Sequence, residues 1–119
     1  MKTLGLWEYV LIRRIKKGKP WKRFSAKLDT GASTSRIGKK TAEELGLGPA
    51  IDRRTIRTGN GKVIRNVVRG KVRLAGHQAT TEFTVSPSRP GVNIGRNTMG
   101  ARFKVSPFQR YLTEPWESN

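Results

Sequence analysis

The chain has no cysteine, a single histidine, and only eight acidic residues against 25 basic ones. Without cysteine there is no disulfide, no thiolate nucleophile and no thiolate metal site, and the redox compartment is left open. His77 lies among polar turn residues, where an exposed position is expected, and one histidine cannot build a zinc site. No apolar run approaches the roughly 20 residues of a membrane helix. Glu8 falls where a signal peptide would continue its apolar stretch, so the sequence predicts a soluble, cytoplasmic protein with no membrane attachment. His-Glu-x-x-His and a phosphate-binding glycine loop followed by Lys and Ser or Thr are both missing, and no metal or nucleotide cofactor is expected.

What the chain does have is positive charge. With 119 residues it can bury one modest core, yet it carries a net charge of +17. Such a field concentrates anions, and nucleic acid or an acidic peptide is the expected partner. Arg13, Arg14, Lys16, Lys17, Lys19, Lys22 and Arg23 cluster around Gly18 and Pro20, just before Trp21. This cluster reads either as a solvated hairpin loop or as a docking patch, with Trp21 able to stack on a base or to pack in a core or dimer contact.

Apolar alternation predicts a mainly β chain. Residues 5 to 12 read as a first strand, 51 to 57 and 62 to 74 as a pair joined at Thr58-Gly59-Asn60-Gly61, and 92 to 94 as a short late strand. Asn60-Gly61 reads as the turn, because Asn-Gly tolerates positive φ at both positions. Gly70 interrupts the apolar side of Val68, Val72 and Leu74. Ala75-Gly76-His77 reads as a turn, and Thr81, Phe83 and Val85 as the buried side of the strand that follows. Lys39 to Gly46 is the best helix, with Ile37, Ala42 and Leu45 inward, and Arg96 to Met99 is one helical turn.

The chemistry concentrates in Lys27-Leu28-Asp29-Thr30-Gly31-Ala32-Ser33-Thr34-Ser35. A strand ending at Asp29 holds a carboxylate on a rigid element, and Thr30 and Gly31 add a hydroxyl, an amide N–H and a backbone able to turn sharply. Taken alone, Asp29 could equally be a helix cap or a turn aspartate.

Asp29-Thr30-Gly31-Ala32-Ser33, followed later by Val92-Asn93-Ile94-Gly95-Arg96-Asn97, resembles the retropepsin-like aspartic proteases, whose half-sites carry Asp-Thr/Ser-Gly and then two apolar residues and a glycine. Leu4 to Val10, Ala26 to Ala32, Val85 to Arg89 and Ile94 to Asn97 are similar to a narrower cellular branch labelled ATP-dependent zinc protease, over roughly residues 4 to 105. Ser33 stands where that branch commonly has a basic residue, and Asn93 where the broader family usually has an apolar one.

The resemblance implies a closed or partly open retropepsin-like barrel with one short helix, a domain over residues 1 to 105 and a tail over 106 to 119. Phe108, Tyr111, Leu112 and Trp116 stand among polar residues in the tail, which reads either as packing on a partner subunit or as fraying. The resemblance also implies a homodimer, because only one Asp-Thr-Gly occurs and the chemistry uses two. Asp29, Thr30 and Gly31 would be catalytic, with Ala32, Gly95, Arg96 and Asn97 in support. Thr58, Gly59, Asn60 and Gly61 would form the flap over bound peptide. Arg57, Arg65, Arg89 and Ile94 would contact substrate, the arginines pairing with acidic side chains. The narrower branch is associated with an ATP-grasp ligase that adds glutamates to a ribosomal protein, which implies acidic protein tails as substrate. The competing expectation is a basic protein that binds RNA or the ribosome, with the barrel as scaffold and Asp29 structural.

Overall fold

The computed structural model describes residues 1–16 and 19–113. Nine strands and two short helices follow one another as β1 (Lys2–Gly5), β2 (Trp7–Arg13), β3 (Lys22–Leu28), β4 (Ser35–Gly38), α1 (Lys39–Leu45), β5 (Asp52–Thr58), β6 (Gly61–Leu74), β7 (His77–Ser86), β8 (Val92–Ile94), α2 (Arg96–Met99) and β9 (Phe103–Ser106).

Six strands form a ring in the order β2-β3-β8-β4-β7-β6, and Leu11↔Arg73, Ile12↔Val72 and Arg13↔Lys71 close it between β2 and β6. The barrel is closed, and β5 lies outside the ring, paired only with β6 as a projecting hairpin. Closure removes free edges from the ring strands. Strand alternation sends Val10, Ile12, Leu28, Ile37, Phe83 and Ile94 into the interior, all at most 1% exposed. Gly70 is no gap in that surface. A Cβ there would meet Leu47 Cδ2 at 3.2 Å, so the side chain of Leu47 occupies the space. Thr84, expected to face out, is buried, and its hydroxyl lies 3.5 Å from Ser35 O.

The first strand divides in two. Instead of running from 5 to 12, the chain breaks at Leu6, where β1 leaves the barrel to pair in parallel with β9. The cause is Glu8, which is 0% exposed and accepts a hydrogen bond from Gly5 N at 2.6 Å. Glu8 also accepts from Leu112 N, Thr113 N and Thr113 Oγ1 at 3.0, 3.1 and 2.7 Å. One carboxylate therefore gathers four donors from two ends of the chain. The segment after β9, expected to pack on a partner or fray, returns to its own subunit through this clasp and through Tyr111, whose ring stacks on Tyr9 with centroids 4.6 Å apart. Trp116 lies outside the described residues.

The β5–β6 turn also differs from expectation. Thr58 pairs with Gly61, so the two turn residues are Gly59 and Asn60, and neither has positive φ; only Gly61 does, at 109°. The hydroxyl of Thr58 sets this arrangement by donating to Gly61 O at 2.9 Å and accepting from Asn60 N at 3.2 Å. The two-residue turn with positive φ at both positions occurs at Ala75 (49°) and Gly76 (79°), between the paired Leu74 and His77. His77 begins β7 half-buried, its ring edge-on to Phe103. α1 ends as expected at Gly46 in the left-handed region (φ 67°). Trp21 is half-buried beneath two guanidinium groups, Arg13 at 4.9 Å and Arg73 at 4.5 Å from its ring centre. Among the described residues no helix is long and apolar enough to cross a membrane.

Candidate active site

Strand β3 delivers Asp29 to the point where it crosses β8. Leu28 pairs with Ile94, and Asp29 N donates to Ile94 O at 2.8 Å. The chain then turns at once. Asp29 Oδ1 accepts from Gly31 N at 3.0 Å, and Ala32 N donates to Asp29 O at 3.2 Å, which fixes the carboxylate against its own turn. Gly31 has no positive φ, so conformational freedom is not its reason. A Cβ at 31 would stand 3.3 Å from Asp29 Oδ1 and crowd the carboxylate.

The second motif laces this turn from beneath. Arg96 N donates to Ala32 O and Asn97 N to Ser33 O, at 2.9 and 3.2 Å. Arg96 Nη1 reaches Thr30 O at 3.2 Å. Gly95 is where the two backbones cross, and a Cβ there would lie 2.8 Å from Thr34 O and 2.9 Å from Ala32 O. Asn97 works with both ends of its amide. Its Oδ1 accepts from Ser35 N at 2.8 Å and lies 2.8 Å from Ser35 Oγ, while its Nδ2 donates to Glu82 O at 2.9 Å.

Beneath Asn97 lies a buried set of hydroxyls. Ser35 Oγ is 2.6 Å from Thr98 Oγ1 and accepts from Gly95 N at 3.0 Å, and Thr98 Oγ1 is 3.2 Å from Thr81 Oγ1. Buried hydroxyls satisfied in this way rigidify what they join. Thr98 did not stand out in the sequence, and Ser35, which ends the polar stretch after Asp29, carries no signal of its own there. Their only signal is adjacency to the two motifs.

The fold thus brings Asp29, Thr30, Gly31 and Ala32 together with Ile94, Gly95, Arg96 and Asn97. The other expected positions are held elsewhere. Thr58, Gly59, Asn60 and Gly61 form the hairpin tip, held by the Thr58 hydroxyl, and Arg57 stands next to it, paired across the hairpin with Lys62. Arg65 lines a cleft of about 420 Å³ together with Lys39, Arg53, Ile64 and Val85, and Asp29 does not border it. Arg89 contributes its carbonyl oxygen, which accepts from Arg36 Nη1 at 2.9 Å, while its side chain stays exposed. Arg36 is a residue the sequence reading missed. Its Nη2 also donates to Pro90 O (3.1 Å) and Asn93 Oδ1 (3.2 Å), and burial, with a smaller contribution from the nearby Arg89 cation, holds its guanidinium below its usual proton affinity. Among the described residues no three His, Cys, Asp or Glu side chains are grouped to hold a metal ion.

A closed six-strand barrel that mounts an Asp-Thr-Gly turn over a Gly-Arg-Asn helix start is the architecture of an acid-protease domain. Family comparison agrees: residues 14–103 match the model of the family described as "Aspartyl protease", and the chain belongs to that family. Solved structures share its fold. The EIAV protease, solved with the inhibitor HBY-793, has 22% identity and a TM-score of 0.63, over 78% of this chain and 83% of that one. The simian foamy virus protease has 18% identity and a TM-score of 0.57, over 78% and 90%. A Legionella pneumophila protein described as of unknown function has 18% identity and a TM-score of 0.60, over 95% and 98%. No curated protein sequence matches the chain.

Proposed function

We propose that the protein is an aspartic peptidase whose active site forms between two copies of the chain, each contributing one Asp29. The observation that carries this reading is the Asp29 turn itself. It is bonded to Ile94, Gly31 and the helix start at Gly95 to Asn97, so its carboxylate sits on a scaffold rather than a free loop. A lone carboxylate is a poor base at neutral pH. Two brought within a few ångströms share one proton, because both cannot ionise comfortably. The ionised member then takes a proton from a water held between them, the protonated member donates to the scissile carbonyl, and the water attacks without an acyl-enzyme. Protonation states belong to the pair.

In this reading Thr30, exposed beside Asp29, reaches the partner's turn, and Gly31 leaves room for the substrate backbone. Peptide binds extended under the hairpin at Thr58 to Gly61, which closes over it, while Ile94, expected to touch substrate, is 0% exposed in the core and supports the Asp29 turn through its carbonyl. Arg57, Arg65 and Arg89 draw acidic side chains, consistent with the glutamate-rich tails implied by the narrower resemblance. A second reading, RNA or ribosome association, is favoured by the cations around Trp21, where Arg13 and Arg73 lie on the ring and no carboxylate pairs with them among the described residues. Asp29→Asn separates the two. A peptidase loses turnover by roughly 10²–10⁴-fold at unchanged melting temperature, whereas an RNA binder with a structural Asp29 shows no hydrolysis to lose and keeps its salt-dependent affinity.

A further inference from the structure

Strand register places Lys27, Asn93 and Arg36 in one row across β3, β8 and β4. The rows on either side, Leu28 with Ile94 and Ala26 with Val92 and Ile37, are buried in the core, so Lys27, Asn93 and Arg36 occupy the opposite face, with Lys27 two residues before Asp29. All three are partly exposed. Arg36 dominates this row, since its guanidinium donates to three neutral acceptors, Arg89 O, Pro90 O and Asn93 Oδ1. Its Nε is closed off from solvent and has no acceptor.

Among the described residues no carboxylate pairs with Arg36, and Arg89 adds a second cation close enough to oppose its charge. A half-buried arginine ordinarily acquires a counter-ion, because desolvation penalises its charge and an anion offsets that penalty. Arg36 is also not free to swing away, since its three bonds tie it to the loop before β8 and to β8 itself. The cation is therefore held in place, partly exposed, with one Nη1 N–H left over and no carboxylate paired with it among the described residues.

We infer that Arg36 and Arg89 form, on the face that carries Lys27, a carboxylate-binding subsite that takes one Glu or Asp side chain of a peptide lying across this face. The inference rests on the peptidase reading for the peptide, but binding alone tests it. Asn93, at a position where an apolar residue was expected, acquires a reason: its Oδ1 orients the guanidinium. Arg57 next to the hairpin tip and Arg65 at the separate cleft attract acidic peptide generally, whereas Arg36 selects at one position.

The test uses Asp29→Asn protein, to prevent turnover, and labelled hexapeptides of glutamine carrying a single glutamate at each position in turn, read by fluorescence anisotropy. With C-terminally amidated peptides, one glutamate position should bind roughly tenfold or more tighter than the all-glutamine peptide, and Arg36→Met should abolish that preference. Arg36→Lys, which keeps the charge but not the three bonds that orient it, should retain only part of it. Free-acid peptides form the control arm; tightening seen only with them assigns the subsite to a chain terminus and overturns the side-chain assignment. Equal affinity at every position, or a preference that survives Arg36→Met, overturns the inference outright. If Arg36→Met fails to fold, an undiminished preference in Arg36→Lys does so. Failure of the peptidase reading looks different: Asp29 protein leaves the preferred peptide uncut while the preference persists.

Discussion

Replacing Glu8 by alanine should cost far more stability than its place in a strand near the chain's start suggests. Its carboxylate accepts from Gly5 N, Leu112 N, Thr113 N and Thr113 Oγ1, and both Glu8 and Thr113 are buried. Removing it leaves at least two buried backbone N–H groups, of Gly5 and Thr113, without an acceptor, each costing about 1–3 kcal/mol. Leu112 N is nearer solvent and loses less. The sum is about 3–5 kcal/mol, at the upper end for a point mutation. For a domain of this size that lowers the melting temperature by roughly 10–20 °C. Glu8→Gln keeps one acceptor oxygen but turns an NH₂ group toward donors, and should lie between alanine and wild type. Thermal unfolding followed by circular dichroism measures all three. A drop of less than about 3 °C for Glu8→Ala would show that the clasp does not hold the termini, and that β1 and residues 107–113 are independently stable.

Two further outcomes follow from the geometry. Gly95→Ala drives a Cβ against the backbone of Thr34 and Ala32 and should lose about 1–3 kcal/mol, whereas Gly59→Ala, with nothing within 4 Å and no positive φ, should stay within about 0.5 kcal/mol of wild type; denaturant titration of both checks this. Glu82 accepts from Arg69 and Arg54 at 3.0 Å each, and these bonds hold its carboxyl below the ordinary value of 4.5. A lowered carboxyl stabilises the fold above the unfolded value and loses that contribution as pH falls through the folded one. Glu82→Gln should therefore cost at most about 1 kcal/mol at pH 7, since the pair is partly exposed, and should flatten the fall in stability below about pH 4.5. Equal slopes for the two proteins in that range would contradict the assignment.

The site was legible where the local backbone dictates the residue. Gly95 has no room for a side chain, a Cβ at Gly31 would crowd the carboxylate, and Asn97 bonds with both ends of its amide; requirements of this kind leave a contiguous motif. Closure of the ring was less legible, because it rests on three β2–β6 pairs between residues some sixty positions apart. Glu8 was illegible for a similar reason: its partners Leu112 and Thr113 lie at the other end of the chain, and alternation alone puts a charged residue outside. Thr58 shows a finer failure. Asn60-Gly61 carries the stronger turn signal, yet one hydroxyl beside it moved the turn back by a residue. Arg36 reads as an ordinary outward residue of a β-strand until its neighbours across β8 and the loop before it are known.

The account depends on two copies of Asp29 acting on one water, and mixing subunits tests that most directly. Wild-type and Asp29→Asn chains, unfolded together and refolded at varied ratios with total protein constant, would be assayed for cleavage of an acidic peptide. A shared dyad predicts activity that falls with the square of the wild-type fraction, because a mixed dimer retains a single carboxylate and is inactive. Activity that falls in simple proportion to the wild-type fraction would mean that each chain carries a complete site alone, and would contradict the account.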